Sequence, residues 1–195
     1  YEIRVADNAR EDFLALDERW RSAVAGDVAM GLLGTLILVA PYLWLPSWRP
    51  DPTAAFDPAA LGAAWSPFVL GVRFAGFALV TPLMEELFFR SFVPRIVDSW
   101  ASQRDFRRLP IASFTQLSFW LTVFVFTSSH MPWEWPVAIA WCVLANLWLV
   151  QRGNLASVIV LHATTNASLF ALVCLDSGRL PDPALGGPLT LWFFL

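Results

Sequence analysis

The stretch MEELFFR, residues 84–90, sets two adjacent carboxylates and a guanidinium inside a run that is otherwise apolar. Residues 71–83 before it carry no charge except Arg73, and residues 92–97 after it none except Arg95. On a helix Glu86 and Arg90 lie one turn apart and can neutralise each other, which makes their burial tolerable. Glu85 is left without that partner. A charge held at the centre of a membrane span costs about 2.5–3.5 kcal/mol on insertion scales, so such groups face a partner or a cavity and read first as functional.

Composition supplies the surroundings of this heptapeptide. The 195 residues are 57% hydrophobic and 15% aromatic, with a mean hydropathy of +0.55, far from the balance of a water-soluble domain. The chain reads as one all-α, polytopic transmembrane bundle of about six to eight helices with an N-terminal amphipathic helix. Its net charge of −3 and the absence of a basic patch interleaved with aromatics exclude nucleic acid as a partner. Cys142 and Cys174 sit in apolar runs and read as small core side chains.

Residues 1–27 form a polar segment in which Phe13, Leu16, Trp20 and Val24 recur at helical spacing, while Glu11, Asp12, Asp17, Glu18 and Arg21 fill the other faces. That helix is expected to lie on the membrane or against the bundle. With no initiator Met and no signal-peptide pattern, the sequence reads as a piece of a longer chain. Residues 28–195 form the membrane domain. Spans are expected over residues 28–45, 61–81, 111–129, 136–150 and 155–175. Pro82 should separate the second span from a MEELFFR helix that reaches about residue 99, and LTLWFFL at 189–195 reads as the opening of a further span. Arg95, Arg104, Arg107, Arg108 and Arg152 fall on one side of such a bundle, which should be cytoplasmic.

Two more polar sites join the first. FTSSH, residues 126–130, ends an apolar run with His130, and HATTN, residues 162–166, puts His162 and Asn166 one turn apart on one helical face. These are the chain's two histidines. A carboxylate beside an imidazole can deprotonate water, and an imidazole with a carboxamide one turn away can donate to a developing oxyanion. Glu85, His130 and His162 could instead bind Zn²⁺ with an open fourth position, although there is no HExxH and the three would come from separate helices. Direct activation of water without a metal is the favoured reading. A non-catalytic scaffold or immunity partner, or a proton-relaying transporter, would use the same residues differently.

In order, Glu85-Glu86-Leu-Phe-Phe-Arg90, Phe126 to His130 and His162 to Asn166 resemble the EExxxR, FxxxH and HxxxN motifs of the CAAX prenyl endopeptidase and bacteriocin-processing (CPBP, ABI-type) intramembrane proteases. The resemblance covers residues 70–175. It implies a helical endopeptidase that cuts a membrane-associated protein or peptide, with Glu85 as water-activating base aided by His130. By the same resemblance His162 and Asn166 would stabilise the oxyanion, and Glu86, Arg90 and Phe126 would support the pocket. The phrase from Arg152 to Asn166, with Arg152-Gly153-Asn154-Leu155 ahead of His162, is similar to the CAAX-protease-related branch found beside exosortase and PEP-CTERM sorting systems. That branch implies a bacterial inner-membrane location and a sorting system as partner. Trp135, Trp141 and Trp148 depart from the small-residue pattern common between the last two motifs, so no substrate preference is carried over.

Overall fold

The computed structural model describes residues 2–50, 56, 58–176, 178–179, 181–187 and 189–195, with side chains from residue 20 onward except those of residues 59 and 176. Five helices make the bundle: α1 (Glu2–Trp44), α2 (Gly62–Ser102), α3 (Gln116–Ser128), α4 (Trp135–Arg152) and α5 (Leu155–Asp176). Among the described residues there is no β-strand. Four stretches, Trp20–Trp44, Gly62–Ser102, Pro132–Arg152 and Leu155–Leu175, are long and apolar enough to cross a bilayer, whereas α3 is shorter. The protein is a multi-pass, all-α membrane bundle.

The count is lower than expected because two pairs of elements merge. The polar N-terminal helix and the first span are one helix, α1. The side chains of Phe13 and Leu16 lie outside the described residues, and Trp20 is exposed. Pro82 does not end the second span, because α2 runs through it for 41 residues, about 60 Å of helix. A proline inside an α-helix removes a donor and collides with the carbonyl four residues back. Here α2 widens into π-helical turns at Gly76–Val80 and Glu86–Phe92, each followed by a proline at its second residue, Pro82 and Pro94. The Thr81 N–H reaches back five residues to the Gly76 carbonyl, and Val93 does the same to Phe88. The wider turn makes room for the ring without breaking the helix.

Residues 111–115 precede α3 rather than belonging to it. Thr115 caps the helix by accepting from the Ser118 N–H, and Asp98 of α2 accepts from the Thr115 hydroxyl at 2.6 Å, so the start of α3 is tied to the end of α2. The helices then alternate direction, which places the loop bearing Arg104, Arg107 and Arg108 at the same end as Arg152. There Asp27 of α1 accepts from Arg152 Nε and Trp148 Nε1, both at 2.9 Å. The arginines expected to share one side of the bundle do share one end of it.

Between α1 and α5 the backbones come close. A Cβ placed on Gly31 would lie 2.6 Å from the Leu161 carbonyl oxygen, and one on Gly34 would lie 2.6 Å from Thr165 Oγ1. Small residues allow such an approach where lipid supplies no hydrophobic drive. Thr165 then donates to the Gly31 carbonyl at 2.9 Å.

Residues 189–195 pack as a strap on the bundle. Leu189 and Leu191 are buried with Val39, Leu169 and Val173, and the chain closes in a short 3₁₀ turn, Trp192–Phe194. Upstream, Asp182 pairs with Arg49 and accepts from the Ala184 and Leu185 N–H groups. The Arg49 guanidinium and those donors hold the Asp182 carboxyl down at about 2. Because this value lies below the ordinary carboxylate range near 3.9, the clamp is fully present above about pH 4 and is lost as the pH falls through about 2. Limited proteolysis of the 178–195 segment should accelerate over that window, and Arg49→Ala should show the same sensitivity already at pH 7.

Candidate active site

The opening heptapeptide sits where α2, α3, α4 and α5 converge. Glu86 and Arg90 are both wholly buried, with Arg90 Nη1 donating to Glu86 Oε1 at 3.2 Å. The Arg90 guanidinium lies over the rings of Phe126 (4.6 Å) and Trp141 (5.0 Å), and its Nη2 donates to the Cys142 sulfur at 3.4 Å. Such a pair survives in an apolar interior only with further contacts of this sort. Glu86 supplies one more. Its Oε1 is 2.7 Å from His162 Nδ1. A carboxylate accepts, so Nδ1 carries the proton, and the Nε2 of His162 is turned toward Glu85, whose Oε2 is 4.0 Å away. Trp141 braces the same imidazole from the side, its ring 4.3 Å from that of His162.

His130 is fixed by the same logic. Its Nδ1 is 2.8 Å from the Phe126 carbonyl oxygen, which can only accept, so Nε2 is the free nitrogen. The His130 ring packs against that of Phe126, centroids 4.5 Å apart and planes tilted by 42°, and the Trp135 indole N–H holds the His130 carbonyl. Both imidazoles are therefore oriented through Nδ1 by partners behind them.

Glu85, His130, His162 and Asn166 line one cavity of about 150 Å³, walled by Phe126, Trp141, Phe77 and Thr81 and by two residues the sequence did not single out, Glu134 and Phe194. A single water needs about 10–15 Å³ of such space, so the cavity has room for several. It accommodates a water beside a peptide group. Glu134 had no visible signal, since it reads as the cap that accepts from the Met131 N–H. Phe194 arrives from the 189–195 segment. Among the described residues no three His, Cys, Asp or Glu side chains are gathered tightly enough to hold a metal ion, so Glu85, His130 and His162 share the cavity without forming a ligand group.

Asn166 has a structural task as well as a place in the cavity. Its Nδ2 donates to the Phe77 carbonyl at 2.8 Å. In the π-helical turn Thr81 N–H is drawn to Gly76, and the next candidate donor to Phe77, five residues on, is Pro82, which has no N–H. Asn166 fills that gap, and its second amide hydrogen remains for the cavity.

A family model described as type II CAAX prenyl endopeptidase Rce1-like matches residues 66–168, more than half of the chain. The chain belongs to this family. The matched residues carry all three motifs, and the family, within the wider CPBP group, is one of CAAX-type intramembrane endopeptidases. No curated protein and no solved structure matches the chain.

Two stability outcomes follow from these contacts. Arg90→Met should cost about 3–5 kcal/mol by stranding the Glu86 charge, and adding Glu86→Gln should recover part of it, as read from unfolding in detergent. Asn166→Leu should cost about 1–3 kcal/mol through the orphaned Phe77 carbonyl. Pro82→Ala in the same chain, by restoring an N–H, should shrink that loss in a double-mutant cycle.

Proposed function

We propose that this Rce1-like protein hydrolyses a peptide bond of a membrane-associated protein or peptide with Glu85 as the base that deprotonates water. The observation that carries the reading is the pair of neighbouring carboxylates with different surroundings. Glu86 is sealed and committed to Arg90 and His162, while Glu85, about a quarter exposed, faces the cavity with His162 Nε2 at 4.0 Å.

In this scheme water enters between Glu85 and the His130 Nε2 and loses its proton to Glu85, and the resulting hydroxide attacks the scissile carbonyl. His162 takes that proton at Nε2 while Glu86 holds Nδ1–H, an arrangement in which a carboxylate orients and steadies an imidazolium. The imidazolium and the free N–H of Asn166 then face the oxyanion, and His162 returns its proton to the leaving amine. No covalent intermediate is needed, and we assign no metal. Addition of a chelator should leave turnover intact, whereas loss of turnover restored by Zn²⁺ would favour the zinc reading through Glu85, His130 and His162.

We further place the protein in a bacterial inner membrane beside an exosortase-type sorting system, on the resemblance of residues 152–166, which open with Arg152-Gly153-Asn154-Leu155. That phrase also has a local explanation: Gly153 takes φ +69° to end α4, and Asn154 Oδ1 caps α5 by accepting from the Ser157 N–H. The sorting link therefore rests on sequence likeness alone.

The decisive test is Glu85→Gln in lipid nanodiscs. It should lower turnover of a fluorogenic peptide by about 10²–10⁴-fold with unfolding behaviour unchanged, whereas His162→Ala should lower turnover and also the unfolding midpoint, because it removes a donor from the buried Glu86. Wild-type turnover by a folded Glu85→Gln protein would leave the non-catalytic scaffold as the better reading.

A further inference from the structure

Glu134 is a carboxylate in the wall of the Glu85 cavity that the proposed hydrolysis does not use. It stands on the 3₁₀ turn Pro132–Glu134, just ahead of α4, and the segment around it is held from two sides. The Tyr42 hydroxyl of α1 donates to the Trp133 carbonyl at 2.9 Å, and the Trp135 indole N–H donates to the His130 carbonyl at 3.1 Å. Glu134 is thereby fixed in the same short stretch as His130. One of its oxygens is spent, since Oε2 accepts from the Met131 N–H at 2.9 Å. Among the described residues Glu134 has no basic partner, because the ion pairs within the bundle join Arg49 to Asp182, Arg90 to Glu86 and Arg152 to Asp27.

The cavity supplies no guanidinium either. Glu85, His130 and His162 are the other titratable groups in its wall, and most of the rest is apolar, including Leu38, Val137, Ala138 and Leu169. A half-buried carboxylate such as Glu134 keeps part of its hydration. A peptide that fills the cavity takes that water away, and a carboxylate left dry without a counter-charge is costly. An uncharged apolar peptide would therefore strand Glu134, whereas one that carries an ammonium or guanidinium beside the reacting bond would pair it. A site that leaves its own polar group unpaired with the wrong ligand discriminates more sharply than apolar fit can.

On the hydrolase reading, and resting on it, we propose that Glu134 is a positioning residue that selects peptides with a Lys or Arg side chain close to the scissile bond. The cation would meet Oε1 while the Met131 N–H holds Oε2 and keeps the carboxylate in place. Glu134 precedes the first residue of α4 and Arg152 is its last, so the two lie at opposite ends of an 18-residue helix. The substrate is then an apolar peptide whose basic residue sits at the end of the bundle away from Arg152.

The test uses the full chain in nanodiscs and a set of apolar fluorogenic peptides in which one position at a time carries either Lys or norleucine, which has a similar stem without the charge. In wild type, Lys at one position should lower KM about tenfold relative to norleucine, the worth of one charge-assisted contact. Glu134→Gln keeps an oxygen for the Met131 N–H and should fold normally. It should raise KM for that Lys peptide, lower KM for its norleucine counterpart and so erase the preference, while Glu134→Asp should retain part of it. Equal KM for Lys and norleucine at every position in wild type, or a Lys preference that survives Glu134→Gln, overturns the proposal. So does a Glu134→Gln protein that loses stability and slows all the peptides by one common factor, because Glu134 is then only the cap of its turn. Should Glu85→Gln turn over normally, it is the hydrolase reading that fails. Anisotropy of the labelled peptides then still decides about Glu134: tighter binding of the Lys peptide that disappears in Glu134→Gln sustains the contact, and equal binding of both peptides by wild type overturns it.

Discussion

The buried carboxylate of Glu86 is the point on which the site depends. It is a charge with no route to water, and everything that neutralises it also places a functional group. Arg90 approaches along the same helix and brings Phe126, Trp141 and Cys142 against its guanidinium. His162 approaches from α5 and surrenders its Nδ1–H. An imidazole on a free rotamer could present either nitrogen to the cavity, but one held by a buried carboxylate presents Nε2. The energy that keeps Glu86 tolerable inside the bundle is thus the same energy that orients His162. A stability defect and a catalytic defect should be hard to separate at this residue, in contrast to Glu85.

The proline-tolerant geometry of α2 contributes a second constraint. A straight α-helix carrying Pro82 would kink next to Glu85 and Glu86, whereas the π-helical turns absorb the ring and leave carbonyls that other groups must satisfy. One of them, at Phe77, recruits Asn166 from α5. Helix α5 is therefore fastened to α2 at two points one turn apart, His162 to Glu86 and Asn166 to Phe77, and to α1 by the close contacts at Gly31 and Gly34. The HxxxN spacing serves as a two-pronged clamp before it serves any chemistry.

This explains what could be read from the sequence and what could not. The membrane bundle was legible because length and hydropathy fix it, and the Glu86–Arg90 contact because i,i+4 geometry is local. The link from Glu86 to His162 joins residues 76 apart, and no local pattern reports it. Pro82 read as a helix end because proline usually is one, and the π-helical turn that absorbs it has no simple residue signature. LTLWFFL has the composition of a span, yet its aromatics find partners in Tyr42 and Trp133, and a packed strap and a lipid-facing helix draw on the same residues. The tryptophans that looked like crowding each do specific work: Trp135 holds the His130 carbonyl, Trp141 braces His162 and Arg90, and Trp148 shares Asp27 with Arg152.

The π-helical turn also bears on how Arg73 and Glu85 come to lie on one side of α2. Residues 73, 77, 81 and 85 recur every fourth position, and at 3.6 residues per turn each step drifts by about 40°, or about 120° over the three. In an unbroken α-helix Arg73 would point a third of a turn away from Glu85. One π-helical turn absorbs about one extra residue, roughly 100°, and brings the drift down to about 20°. Phe77 and Thr81, which lie between them, accordingly border both the Glu85 cavity and a hollow beside Arg73. Glu86, one residue further along, is rotated by about 100° away from that side and into the core, where Arg90 and His162 meet it. Two neighbouring carboxylates in a lipid-facing sequence are thereby given to different tasks, one sealed as an anchor and one left facing the cavity.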